Sequence, residues 1–170
     1  EMMDKMSDLI ENIYKQQKTL RDYEFKLLQS QIKPHFLYNT IETIISFARL
    51  EMKENVIRTA QNIAQFYRIS LSSGRDIISI KEELQLTTSY LEIQKMRYVN
   101  FIAFEIEVDE QINKFSIPKL TIQPLVENAI YHGIKETGRK GKISISGKLV
   151  GDRIHITVSD DGKGIPAELL

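Results

Sequence analysis

Apolar residues recur seven apart near the start of the chain, at Met6, Ile13, Leu20 and Leu27, with Met3 and Ile10 filling the seam between them. No Gly or Pro interrupts the first 31 residues, so a long helix with coiled-coil spacing is expected over residues 1–32. Gln17, Glu24 and Gln31 put polar groups in the same register, which makes the pairing marginal; the alternative is an amphipathic helix packed on its own domain. A second helix is expected over residues 53–72, where Val56, Ile57, Ala60, Ile63, Ala64, Tyr67 and Leu71 form one stripe and Gly74 is placed to end it. Residues 36–48 are also strongly apolar, so residues 33–75 read as a helical hairpin with more apolar surface than it can bury alone. Two copies are expected to cover that surface as a dimeric four-helix bundle.

Ser79-Ile80-Lys81-Glu82 is a capping box that starts a third helix, carried to about residue 97 by Leu84, Tyr90, Leu91 and Met96. Beyond it the period falls to two. Phe104, Ile106 and Val108 alternate with acidic residues, and Ile143 and Ile145, then Ile154, Ile156 and Val158, flank a Gly151-Asp152 turn in a predicted β-hairpin. Between these strands Pro118 and Pro124 bracket the start of an apolar helix over residues 120–132 that Gly133 closes. The fold class expected is α+β: a coiled-coil helix (1–32), a helical hairpin (33–75), and over residues 76–170 the first part of an α/β layer.

Charge and composition narrow the function. Twenty-three basic and 23 acidic residues cancel, which disfavours a bulk electrostatic binder of nucleic acid. The absence of cysteine removes disulfides, thiolate nucleophiles and Cys-ligated zinc. No apolar run approaches the roughly 18 residues of a spanning helix. The chain opens on Glu1 and stops at Leu170 in what reads as the first turn of a helix, so it is expected to be a segment of a longer protein.

Of three histidines, His35 stands out, within Pro34-His35-Phe36-Leu37-Tyr38-Asn39. If a helix continues through Pro34, the Ser30 carbonyl loses its amide partner and a kink exposes the next residue. Asn39 lies one turn along, able to hold one imidazole nitrogen and leave the other as a nucleophile toward phosphorus. The alternative is a histidine merely satisfied by its neighbours. In Pro124-Leu125-Val126-Glu127-Asn128-Ala129-Ile130-Tyr131-His132-Gly133 the polar side carries Asn128, a plausible oxygen ligand for magnesium. Asp160-Asp161-Gly162-Lys163-Gly164 offers a carboxylate for an exocyclic amine and glycines that let backbone approach a ring, although such a loop is often only a turn. Two Walker-loop lookalikes fail: Arg139-Lys140 follows the glycine pair at Gly133 and Gly138, and Gly141 and Gly147 are one residue too far apart.

In this order the three segments resemble the two-component sensor histidine kinases of the LytS and YesM type. The resemblance implies a dimeric hairpin carrying the phospho-acceptor, joined to an ATP-binding α/β sandwich of the kind shared with gyrase and Hsp90-type ATPases. By it His35 is the acceptor with Asn39 beside it, Asn128 the magnesium ligand of the N box, Asp160 the adenine reader, and Gly162 and Gly164 part of a glycine box. It also implies ATP and Mg2+ as cofactors, a homodimer, a response regulator as partner, and a bacterial plasma-membrane protein whose upstream segments hold the anchor, this part being cytoplasmic. The chain departs from the wider pattern in three places. Phe36 follows the acceptor where an acidic residue is common, leaving Glu42 as a substitute base. Pro124 stands where hydrolytic relatives place a water-activating Glu, which favours transfer over hydrolysis. Tyr131 replaces a common Lys, which removes a phosphate contact. The second glycine box, the nucleotide lid and the closing strand and helix would lie beyond Leu170, so residues 1–170 alone are expected to bind ATP weakly or not at all and not to phosphorylate themselves. The rival readings are a dimeric scaffold without catalysis and a hydrolytic ATPase of the same fold.

Overall fold

A computed structural model describes residues 13–19, 34–71, 76–99 and 101–164. Its elements run in the order α1 (Pro34–Arg49), α2 (Lys53–Ser70), β1 (Ile77–Ser79), α3 (Ile80–Arg97), β2 (Ile102–Val108), β3 (Ser116–Pro118), α4 (Gln123–Asn128), β4 (Gly141–Val150) and β5 (Arg153–Asp160). The architecture is α+β. Of the predicted seam only Ile13 is described, in a helical segment over residues 13–19 where it is 48% exposed. Met3, Met6, Ile10, Leu20 and Leu27, the Ser30 carbonyl and Gly74 lie outside the described residues.

β4 is the middle strand of a three-stranded sheet, parallel to β2 and antiparallel to β5. The alternation read in the sequence sets its faces: Ile143 and Ile145 are buried, while Lys142 and Ser146 point to solvent. Gly151, at φ +63°, makes the two-residue turn that places β5 beside β4. β5 is an edge strand, and its inward residues Ile154, Ile156 and Val158 are only half-buried. A second small sheet pairs β1 with β3, Ile78 opposite Ile117, tying the start of α3 to the segment that leads into α4.

The capping box forms as expected. The Glu82 N–H donates to Ser79 Oγ at 3.2 Å, and the Ser79 N–H donates to Glu82 Oε2 at 3.0 Å. From that start α3 runs through the centre of the molecule, with Leu86, Tyr90, Leu91 and Ile93 buried between the hairpin on one side and the sheet and α4 on the other. The Phe36 ring lies 5.0 Å from that of Phe66 and 5.1 Å from that of Tyr90, so one core crosses the expected boundary at residues 74–78.

The stripe predicted for α2 divides: Ile63 and Tyr67 pack against the core beside the buried Phe66 and Ile69, whereas Ile57, Ala60 and Ala64 are exposed. α3 is a larger partner than α1 and takes the side that carries Phe66. The apolar helix expected over residues 120–132 begins instead at Gln123, after Leu120 at φ +64°, and does not stop at Gly133. It widens into a π turn (Ala129–Ile134), tightens into a 3-10 turn (Lys135–Thr137), and ends on Gly138 at φ +67°, the left-handed stop that glycine adopts without steric cost.

Candidate functional site

α1 carries His35 in its first turn, exposed to solvent, while the next residue, Phe36, is anchored in the aromatic core. The Asn39 amide nitrogen lies 3.1 Å from Nδ1 and 3.0 Å from Nε2 of the His35 ring. It straddles the two nitrogens, and because a neutral imidazole has one unprotonated nitrogen, the amide donates to only one of them while the other carries its own hydrogen. Glu42 stands two helical turns on, about 10.5 Å by helix rise, too far to take a proton from His35 directly. A shallow groove of about 280 Å³ beside it is lined by Asn39, Glu42, Thr43, Ser46, Met96 and Arg97, among others.

α4 begins with Pro124 in its first turn, where a missing amide hydrogen costs nothing. Its apolar side, Val126, Ala129, Ile130 and Ile134, packs into the core and leaves Asn128 and His132 exposed and Glu127 and Tyr131 half-buried. The Gln123 side-chain amide donates to Glu127 Oε1 at 2.8 Å. Burial first, then the neighbouring Tyr131 and Glu127, push the pKa of the Tyr90 hydroxyl far above the usual tyrosine range. A contact path therefore runs from Phe36, beside His35, through Tyr90 to the helix that carries Asn128.

Opposite α4 is the end of β5. Asp160 Oδ1 accepts the Gly162 N–H at 2.9 Å, and the Lys163 N–H donates to the Gly133 carbonyl at 3.3 Å, stitching the glycine loop to the π turn. Both glycines are required by space. A Cβ on Gly133 would fall 2.4 Å from Asp160 Oδ1, and one on Gly162 would fall 2.4 Å from the Gly133 carbonyl carbon. Gly164, at φ +73°, is open to solvent. The two adjacent carboxylates are held differently. Asp161 Oδ1 accepts the Lys142 N–H at 2.8 Å and the Asp161 backbone carbonyl accepts from Arg139 at 2.8 Å, which ties Asp161 to the sheet, whereas Asp160 accepts the Gly162 N–H and lies against Gly133.

The structure thus brings Asp160, Gly162 and Gly133 into contact at the far end of the helix that presents Asn128. His35 shares no hydrogen bond or ion pair with Asn128 or Asp160 and joins them only through the aromatic core. Gly133, read from the sequence as a helix stop, is the floor on which the Asp160 carboxylate sits, and no local signal could have marked it. Lys135, one turn beyond Tyr131, holds its ammonium 4.2 Å from that ring's centre and donates to the Tyr98 hydroxyl at 2.6 Å. Among the described residues no group of three or more His, Asp or Glu forms a metal cage; magnesium beside a nucleotide needs only one or two protein oxygens together with phosphates and water.

A family model described as histidine kinase matches residues 23–102, and one described as histidine kinase-, DNA gyrase B- and HSP90-like ATPase matches residues 117–170. Sensor histidine kinase YesM of Bacillus subtilis is 34% identical over 99% of this chain and 29% of its own length. Sensor protein LytS of Staphylococcus epidermidis is 36% identical over 89% of this chain and 26% of its own length. Sensor histidine kinase BtsS of Escherichia coli is 30% identical over 87% of this chain and 26% of its own length. The chain therefore spans between a quarter and a third of these relatives.

Proposed function

The chain belongs to the sensor histidine kinases of the LytS and YesM type, and we propose that in the whole protein the γ-phosphoryl group of ATP is transferred to His35 and then to an aspartate of a response regulator. The observation that carries this reading is that the helical run presenting exposed Asn128 meets the Asp160 carboxylate at Gly133, and packs through Tyr131 and Tyr90 toward the residue beside His35. Asp160, inlaid between Gly133 and Gly162, accepts a hydrogen bond from the exocyclic amine of adenine. Asn128 offers its side-chain oxygen to Mg2+ beside the phosphates. The ion, when bound, neutralises charge on those phosphates.

His35 attacks through whichever ring nitrogen is unprotonated. The nitrogen–phosphorus bond forms as the bond from phosphorus to the bridging oxygen breaks, and ADP leaves with that electron pair. Exposure of His35 at the start of α1 leaves room for an in-line approach, and the Asn39 amide, which donates to that same nitrogen, releases it before attack. Pro124, which has no basic side chain, stands one turn before Asn128; this supports transfer over hydrolysis.

The partners proposed are a second copy of the chain, a response regulator, and a membrane reached only through upstream segments, this portion being cytoplasmic. Among the described residues no helix is long and apolar enough to cross a membrane. The test is incubation of the full-length protein with labelled ATP and Mg2+. Label that is acid-labile, base-stable and lost in His35→Gln is expected; label that persists in that variant, or that survives acid, refutes the assignment.

A further inference from the structure

The start of α4 lacks a cap of its own. Ile122 precedes it with no side chain able to accept a hydrogen bond, and Pro124 has no amide hydrogen. The backbone just before it is strained: Leu120 sits at φ +64°, a region that a residue with a bulky side chain occupies only where its surroundings hold it. What holds it comes from the first turn of α3. Glu83 is fully buried, accepting the Leu120 N–H through Oε2 at 2.9 Å and the Ile122 N–H through Oε1 at 2.8 Å. A buried carboxylate with both oxygens engaged by amide hydrogens is well compensated, and it stands at the positive end of the helix dipole. Its neighbour Glu82 caps its own helix instead.

We propose that Glu83 is a positioning residue for the nucleotide site, a cap supplied by α3 that fixes the first turns of α4 and so the place of Asn128. This inference rests on the reading of Asn128 as the magnesium ligand. The far end of the same helix is held independently, where Gly133 meets Asp160 and accepts from the Lys163 N–H. Loss of the Glu83 cap therefore displaces the Asn128 end and spares the adenine end, so the part of nucleotide affinity that depends on magnesium is the part that falls.

The experiment is calorimetry of ATP binding to the full-length protein, with Mg2+ and with EDTA, for the unaltered protein, Glu83→Gln and Glu83→Asp. Glutamine keeps one acceptor but turns an amide toward the second backbone N–H. The gain in affinity produced by magnesium is expected to fall about tenfold in Glu83→Gln and less in Glu83→Asp, while affinity in EDTA stays within about threefold. A folded Glu83→Gln that keeps the whole gain overturns the proposal, and so does an equal loss with and without magnesium, the signature of a cap that only stabilises. If Glu83→Gln fails to fold, Glu83→Asp carries the same comparison, with the split supporting the proposal and its absence overturning it. Asn128→Ala separates this inference from its premise. If that variant keeps the magnesium gain, the ligand assignment falls and this inference with it; if it loses the gain while the Glu83 variants keep it, only this inference falls.

Discussion

Single atoms decide the candidate site. Gly133 and Gly162 leave room for the Asp160 carboxylate and nothing larger, so Gly133→Ala is expected to push Asp160 out of place and lower ATP affinity at least tenfold with the fold intact, as calorimetry and circular dichroism would show. Base selection belongs to the same atoms. ATP should bind the full-length protein more tightly than GTP, and Asp160→Asn should erase the difference; equal affinities in the unaltered protein would remove Asp160 from this role. Glu136 ties the glycine loop to the turn after α4 through Lys163, with His132 at 3.3 Å on its other side. Those two partners, Lys163 first, hold its carboxyl below the usual 4.5. Since the folded pKa is the lower one, the tether is fully present above about 4.5 and is lost as the pH falls through the depressed value. The Glu136 carboxyl resonance should therefore titrate below 4.5 by NMR, moving back up in Lys163→Gln. A midpoint at 4.5 in the unaltered chain would mean that the contact does not persist in solution.

Elements have their own signatures. Ser79 and Glu82 close a reciprocal cap on α3, and Ser79→Ala should cost about 1 kcal/mol in urea unfolding without changing the slope. Phe66 stands at the junction of α1, α2 and α3, 1% exposed and touching Phe36, Tyr67 and Tyr90. Phe66→Ala should cost roughly 3–5 kcal/mol. The loss should be felt by the hairpin and the sheet together, because α3 is common to both; two separate transitions would show instead that the hairpin unfolds independently. These elements were largely legible in the sequence, since a cap, a two-residue turn and a period of two are written in residues a few positions apart. The extent of α4 was not, because its π turn forms where the Gly133 backbone must meet the loop after β5.

At the scale of the whole molecule, the hairpin leaves one apolar side uncovered. Tyr38, Ile41 and Ile45 on α1 and Ile57 on α2 are between 41% and 67% exposed, while the opposite sides of both helices are closed by α3 and by each other. A second copy of the hairpin is the proposed cover. Ile45→Asp should then weaken self-association, and sedimentation of the unaltered chain as a monomer at tens of micromolar, a threshold of roughly 6 kcal/mol, would refute it. The exposed part of the stripe read from the α2 sequence, at Ile57, thus keeps its meaning as surface seeking a partner, while Ile63 and Tyr67 of the same stripe pack against the core of one chain.

What the sequence by itself determined is everything carried by near neighbours along the chain. The capping box at Ser79, the alternation in β2, β4 and β5, the Gly151 turn, and the three motif segments with their family resemblance all follow from spacing and side-chain chemistry. What the tertiary structure decided is which of several chemically equivalent choices is used. Phe66 rather than Ile57 turns inward because α3 lies on that side; Asp160 rather than Asp161 sits against Gly133 because Asp161 is drawn to the Lys142 N–H of the neighbouring strand; Glu83 reaches the Leu120 and Ile122 amides while Glu82 stays on its own helix. The reason is the same in each case. Each choice is fixed by a contact between residues distant in the chain, and such contacts come into being only when the elements pack, which no local pattern encodes.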